Sequence, residues 1–327
     1  MTDTPGPGPL AGLTQSPIRA PSANAAKSVA ADLKPLAADH PEIAAVLKSD
    51  GAARDFLLAA LALSPFLRET AMSDPQSLAL ALSRPCAEIV AHTLSAARDC
   101  WRGTEDRLAS EADLMRDLRR AKRRISLTLA LNDLSRQIDA RATTVALSDL
   151  ADAALGAAFD HLLRAGHDAG KLKLPDPDAP CEKSGLIVLG MGKHGARELN
   201  YSSDIDIVVF FDPDAGVVND SDEVTEVFAR MVRRLVRIMQ ERTGDGYVFR
   251  TDLRLRPDPG STPLAFPLYA ALNYYESRGQ NWERAAYIKA RPVAGDLEAG
   301  ERFLKELVPF VFRKYLDFAA ISDIHSI

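Results

Sequence analysis

The sequence predicts an α+β protein: a largely helical N-terminal region, then a mixed sheet with helices, then a helical C-terminal segment. Two observations carry this. An Ala- and Leu-rich stretch from about Asn24 to Gly170 keeps apolar residues at helical spacing, and Leu186–Phe211 (LIVLGMGKHGARELNYSSDIDIVVFF) sets two apolar runs either side of a Gly-containing turn. At 327 residues and 46% hydrophobic the chain can bury a full core and hold two or three domains. A net charge of -5 argues against bulk electrostatic attraction to nucleic acid. Cys86, Cys100 and Cys181 are odd in number and lack a CxxC spacing, so neither a disulfide framework nor a zinc site is expected, and free thiols in a reducing cytoplasm are. No basic segment followed by an apolar core opens the chain, and Phe56–Leu63, the longest apolar run, falls short of the roughly 20 residues a membrane span needs. The expectation is a soluble, cytoplasmic protein without a membrane partner.

Residues 1–23, with Pro5, Pro7, Pro9, Pro17 and Pro21 among small and polar residues, read as a disordered lead. The helical region, 24–170, is punctuated at Pro41, Pro65, Pro75 and Pro85 and reads as six to eight helices. Asp74-Pro75 has the chemistry of a helix start, Asp as N-cap and Pro at the first helical position. Leu147, Leu150, Ala154, Phe159 and Leu162 hold the helical period over several turns. The basic run Arg116–Arg124 is expected to be the solvated face of a long helix, with docking of an acidic partner or an RNA as the sharper reading. Residues 171–184 (KLKLPDPDAPCEKS) read as a linker.

From 185 to 296 the pattern is strand, tight turn, strand, helix. In the second strand Asp204 and Asp206 lie on one face, about 7 Å apart along the chain, and two acids on a face suit a divalent cation. Ile205, Ile207 and Val209 point the other way, into a core. Asp222–Arg242 reads as an amphipathic helix with Val224, Val227, Phe228, Met231, Leu235, Ile238 and Met239 inward, stopped by Gly244 and Gly246. In Val248–Pro257 alternation predicts a strand with Phe249, Leu253 and Leu255 on one face, and Arg250, Asp252, Arg254 and Arg256 on the other. Paired beside the first two acids, Asp252 would complete a three-carboxylate cation site, and the arginines would bind phosphate, whose oxygens match a guanidinium fork. Leu268–Ser277 and Asn281–Arg291 read as helices, the second with Glu283, Arg284, Tyr287 and Arg291 on one side of the wheel and Lys289 nearer Trp282. Residues 297–327 read as the start of a further helical domain that stops inside a helix.

Neither GMGKHG nor DxD is specific alone. The first lacks P-loop spacing, and although Gly190, Gly192 and Gly195 give G-x-G-x-x-G, the following strand opens on Ser-Asp-Ile-Asp instead of ending in a ribose-binding acid; the second lacks the Gly and later acids of an EF-hand. His161, His167 and His325 read as structural or solvated, and His194 is given no role. The conjunction of strand, Gly turn, Ser202-Ser203, DxD and a later Asp matches the nucleotidyltransferase pattern of DNA polymerase β-like enzymes, where carboxylates hold metal ions for in-line transfer.

Four ordered blocks narrow the match: GMGKHGARELNYSSDIDIVVFF, DLRLRP, YYESRGQNWERAAYIKARPVAGD and PFVFRKYLDF. Together they resemble the glutamine synthetase adenylyltransferase family, whose members attach and remove AMP on a tyrosine of glutamine synthetase. The likeness runs from about Gly185 to the end; PDPGSTP after DLRLRP departs from the Phe-Gly or Ser-Gly turn more usual there. Full-length members carry two nucleotidyltransferase domains and this sequence carries the blocks once, with the later ones more like the N-terminal, AMP-removing half. The resemblance therefore implies a phosphorolytic removal of AMP. Asp204, Asp206 and Asp252 would hold Mg²⁺ or Mn²⁺; Gly190, Gly192 and Ser203 would meet phosphate; Arg254 and Arg256 would neutralise it; and Glu283, Arg284, Lys289 and Arg291 would wall the site. It implies a nucleotide (AMP, ADP or ATP) and inorganic phosphate as substrates, glutamine synthetase as partner, and a PII-type signal protein as a further candidate. The alternatives are an RNA or tRNA nucleotidyltransferase, for which the basic run is the only support, and a catalytically incomplete fragment that binds glutamine synthetase or PII.

Overall fold

In the computed structural model of the chain, residues 8–104, 107–219 and 223–312 are described. The C-terminal part of the PFVFRKYLDF block, and His325, lie outside them. Contacts divide the chain into two compact units, Met1–Ala96 with Arg120–Leu147, and Ala97–Arg119 with Ser148–Ile327. The boundary expected at 171–184 is not where the division falls.

The N-terminal region forms eight helices: α1 (Ala23–Leu36), α2 (Pro41–Lys48), α3 (Ala52–Leu63), α4 (Pro65–Ser73), α5 (Pro75–Ser83), α6 (Cys86–Asp99), α7 (Glu111–Leu134) and α8 (Ala140–Asp168). Each of the four prolines read as a break sits at or just before a helix start, where the missing N–H is not needed. Asp74 caps α5 as expected, accepting from the Ser77 N–H at 3.1 Å. In the first unit Val29, Leu33, Phe56, Leu57, Leu61, Leu78, Leu82, Leu127 and Leu131 build one core. Leu10 is buried in that core, within a short 3-10 turn at Leu10–Gly12, with Leu13 and Ile18 packed beside it. The described part of the expected disordered lead is therefore folded: three apolar side chains suffice to anchor a Pro-rich segment that composition alone would leave loose.

The basic run is not a solvated face. Arg119 is 1% exposed and donates to the carbonyls of Met115 at 2.8 Å and Gly246 at 2.9 Å, and to that of Glu241. Arg116 is paired with Asp113 and Asp117. Arg124 donates to the Ser77 hydroxyl at 3.1 Å, and burial pushes the Lys122 ammonium down to about 7. Period alone did not reveal that α7 buries Arg119 while Arg120 stays exposed.

The second unit is built on a mixed sheet. Its strands are β1 (Leu186–Gly190), β2 (Ile205–Phe211), β3 (Thr251–Asp252), β4 (Ala265–Pro267) and β5 (Arg291–Gly295), in the order β3-β2-β1-β5 with β4 also on β2. β1 is antiparallel to β2 and to β5, whereas β3 and β4 run parallel to β2 at its two ends. Every residue of β2 except Asp206 is buried. The Phe211 side is covered by α10 (Val224–Gln240), where Phe228 stacks on Phe211 with ring centroids 5.0 Å apart. The opposite side is covered by α11 (Leu268–Ser277), α12 (Asn281–Tyr287) and α13 (Leu297–Val311), with Phe303 4.8 Å from Phe210 between centroids. Since α13 packs on β1 and β5, the segment expected to open a separate domain instead completes this core.

Two elements are shorter than expected. The strand predicted over 248–257 is reduced to Thr251–Asp252, because the Arg256 guanidinium gathers the carbonyls of Leu253 at 2.8 Å and Pro259 at 2.7 Å and curls the chain into a loop. The helix predicted to reach Arg291 ends at Tyr287, so Arg291 lies on β5 and the helical wheel that grouped it with Glu283 and Arg284 does not apply. No single helix among the described residues is long and apolar enough to cross a membrane, and all three cysteines are unpaired.

Replacing Arg119 by Met should keep the apolar stem and orphan buried carbonyls, so urea unfolding should show a loss of about 2–4 kcal/mol. An unchanged midpoint would mean that Arg119 only fills space.

Candidate active site

Strand pairing assembles the centre of the site. In the parallel ladder between β2 and β3, Ile205 is opposite Thr251 and Asp206 is opposite Asp252. Partners in register on parallel strands project to the same face, so the two carboxylates meet although 46 positions separate them in sequence. Asp204 precedes the strand, exposed, and is close enough for its carboxylate to act on Asp206. Of the three acids expected at one strand end, the ladder itself pairs Asp206 and Asp252.

The charges do not share that place freely. Burial first, then the carboxylates of Asp252 and Asp204, push the Asp206 carboxyl above its usual range. Asp252 is held below the usual range, first by the hydrogen bond from Arg254. Arg254 also donates its backbone N–H to Asp252 at 2.8 Å, while its guanidinium is largely exposed. Arg250 pairs with Asp204 and donates to the Ser202 carbonyl at 2.8 Å. Asp204 and Asp252 are thus turned onto arginines, and among the described residues no three acid, imidazole or thiol groups stand ready-made around one cation position. Carboxylate oxygens on paired strands are hard donors of the kind that Mg²⁺ or Mn²⁺ takes.

The Gly turn abuts these acids. Met191 donates its N–H to the Asp206 carbonyl at 2.8 Å. Gly192 has φ of 51°, and a Cβ there would lie 3.2 Å from Asp206 Oδ2, so a side chain would meet both backbone strain and the carboxylate. Gly190 is the last residue of β1, and the short helix α9 (Gly192–Gly195) completes the turn. The Ser203 hydroxyl accepts from the Asn200 N–H at 3.1 Å and shapes the loop ahead of Asp204.

Several expected site residues have other partners. Arg256 holds its own loop, as described above. Glu283 is 1% exposed and forms the capping box of α12, accepting from the Gln280 N–H at 2.7 Å; burial pushes its carboxyl up. Arg284 donates to Asn281 Oδ1 at 3.0 Å and its guanidinium lies 5.1 Å from the centre of the Phe310 ring. Lys289 pairs with Glu198 at 2.8 Å, beside the turn. Arg291 grips Asp152 with contacts of 2.7 and 3.2 Å.

Asp152 and His194 escaped the sequence reading. His194 is fully buried, with Nε2 2.8 Å from Asp152 Oδ1. Burial pushes the Asp152 carboxyl up, but hydrogen bonds from His194 and Arg291 outweigh it and hold the group below its usual range. The signal available was Ser148, Asp149 and Asp152, polar residues at helical spacing in an Ala- and Leu-rich helix. A cavity of about 810 Å³ is lined by Asp152, Arg291, Trp101 and Gly156 among others, and by none of Asp204, Asp206 and Asp252. Size alone therefore does not locate the acids.

Paired-strand aspartates beside a Gly turn in an α+β unit match the pattern expected of nucleotidyltransferases. Comparison with known proteins gives the family: the profile of glutamate-ammonia ligase adenylyltransferase matches residues 55–306, and the chain belongs to that family. Relatives named bifunctional glutamine synthetase adenylyltransferase/adenylyl-removing enzyme include those of Agrobacterium fabrum, 62% identical over 92% of the chain, and Rhizobium meliloti, 60% identical over 95%. That of Mesorhizobium japonicum is 57% identical over 87%. The chain spans about 30% of the length of these relatives.

A raised Asp206 carboxyl means that the folded state binds this proton more readily than the unfolded state, so its ionisation weakens folding as pH rises from the ordinary aspartate value through the folded one. Asp206→Asn should therefore raise Tm by about 2 °C at pH 7 in chelator, and the difference should shrink toward pH 4. An equal or lower Tm at pH 7 would contradict the crowding of charge.

Proposed function

We propose that this chain carries one nucleotidyltransferase site that removes AMP from an adenylylated tyrosine of glutamine synthetase by phosphorolysis. The observation that carries the reading is the register of Asp206 with Asp252, which brings acids from separate motifs to one face beside the Gly turn. The relatives' names support the substrate, and the single copy of the motif blocks, resembling the AMP-removing half, supports the direction.

Asp204, Asp206 and Asp252 would hold Mg²⁺ or Mn²⁺, which when bound neutralises phosphate charge and polarises the phosphorus. Arg254, exposed beside Asp252, reaches outward to meet phosphate oxygens. Gly192 leaves room for the backbone to approach phosphate next to Asp206. An oxygen of inorganic phosphate attacks the AMP phosphorus in line; the new P–O bond makes ADP, and the tyrosyl oxygen departs and takes up a proton. Phosphate is already anionic, so the step needs little from a general base. Nothing about α7 favours an RNA substrate, since Arg116, Arg119 and Arg124 are engaged within the protein. A PII-type protein is a further candidate partner.

With Mg²⁺ and phosphate the chain should release ADP from adenylylated glutamine synthetase, and Asp204→Asn, Asp206→Asn and Asp252→Asn should each lower kcat by about 100-fold or more. Equal rates in wild type and all three variants would refute the site. Incorporation of labelled AMP from ATP, without ADP release in the phosphorolysis assay, would reverse the assigned direction.

A further inference from the structure

We propose that His194 is a positioning residue of the aspartate site, fixing the Gly turn against Asp206 through Asp152 and Arg291; the proposal rests on the nucleotidyl-transfer reading above. The turn is clamped from outside the motif. On α8, Ser148 accepts from the Leu199 N–H at 3.4 Å, Asp149 pairs with Arg197 at 3.3 Å, and Asp152 takes His194 Nε2 at 2.8 Å. These positions, i, i+1 and i+4, form one stripe that holds the loop from His194 to Leu199.

Arg291 closes the arrangement. Besides its two contacts to Asp152, it donates from Nε to the Gly195 carbonyl at 3.3 Å and from an η nitrogen to the His194 carbonyl at 3.4 Å. One carboxylate therefore binds both the side chain of the turn and the guanidinium that binds the turn's backbone. Gly195 permits this closeness, since a Cβ there would lie 1.9 Å from the Lys289 carbonyl oxygen. An ionised Asp152 can only accept, so the proton between the two groups belongs to His194 Nε2. The other ring nitrogen is buried without a hydrogen-bond partner and lies 3.0 Å from where a Gly190 Cβ would stand, so the ring is seated against the end of β1.

The link to the reacting face is short. Met191, three residues before His194, is tied to the Asp206 backbone, and Gly192 meets the Asp206 carboxylate. Leucine at 194 would fill the same volume with no donor for Asp152, leaving a partly buried carboxylate half-partnered and the turn free to shift. Displacement of a positioned group by a fraction of an ångström affects turnover more than binding of a large protein substrate.

The test is steady-state phosphorolysis by the full chain bearing His194→Leu, His194→Gln or Asp152→Asn, with thermal melts, and Asp206→Asn alongside. His194→Leu should lower kcat on the order of tenfold with KM for the adenylylated protein unchanged within about twofold. His194→Gln, which keeps a donor toward Asp152, should recover most of the loss. In the double variant with Asp152→Asn the two losses should be less than multiplicative, since the residues share a contact. If His194→Leu does not fold, the Gln and Asn variants carry the test, Asp152→Asn lowering kcat and His194→Gln sparing it. Wild-type kcat in His194→Leu, or losses that track Tm with no rescue by Gln, would overturn the positioning role. Wild-type turnover by Asp206→Asn would instead overturn the underlying reading of the aspartates.

Discussion

Two carboxylates set side by side on parallel strands repel each other, and the second unit is arranged around keeping them there. The ladder that does it is only two residues long, Thr251–Asp252 against Ile205–Asp206. Such a ladder has little stability of its own. It persists because β2 is buried on both faces by α10 and by α11–α13, so its position is fixed by apolar packing and not by the acids it carries. Asp206 is the one residue of the strand left partly exposed, at the end where the Gly turn is tied to it through the Met191 N–H.

Counter-charges are built in at the same point. Arg250 and Arg254 flank β3 and each holds an outer aspartate, while burial first, and then the neighbouring carboxylates, raise the Asp206 carboxyl. Exposed ion pairs of this kind contribute little to folding. In the proposed reaction they would set positive charge near anionic substrates. The clamp formed by α8 has the opposite character: Asp152, His194 and Arg291 are partly or fully enclosed, and removing one member would leave the others without their partners.

Much of this was legible in the sequence because it is local. Helices of the N-terminal region follow from apolar period, four of them with a proline at or just before the start, the strands around the turn follow from short apolar runs, and the pairing of Asp206 with Asp252 follows from the residue pattern of two motifs. What was not legible depends on partners far along the chain. Asp152 looks like an ordinary polar residue of a helix until His194 and Arg291 are brought to it, and Arg119 looks solvated until the carbonyls of Glu241 and Gly246 arrive. Glu283 shows the converse: a charged residue in a motif block whose charge is used to cap α12. The alternating pattern of 248–257 misled for a similar reason, since Arg256 takes the backbone carbonyls of its own loop.

The central claim is that Asp206 and Asp252 act as one cation-binding pair. Crystals of the chain soaked with Mn²⁺ and ADP test it most directly, through the anomalous difference map. The account predicts a peak between the Asp206 and Asp252 carboxylates, next to the phosphates of the nucleotide, that vanishes in Asp206→Asn. Mn²⁺ seated away from both carboxylates, with nucleotide bound, would contradict it.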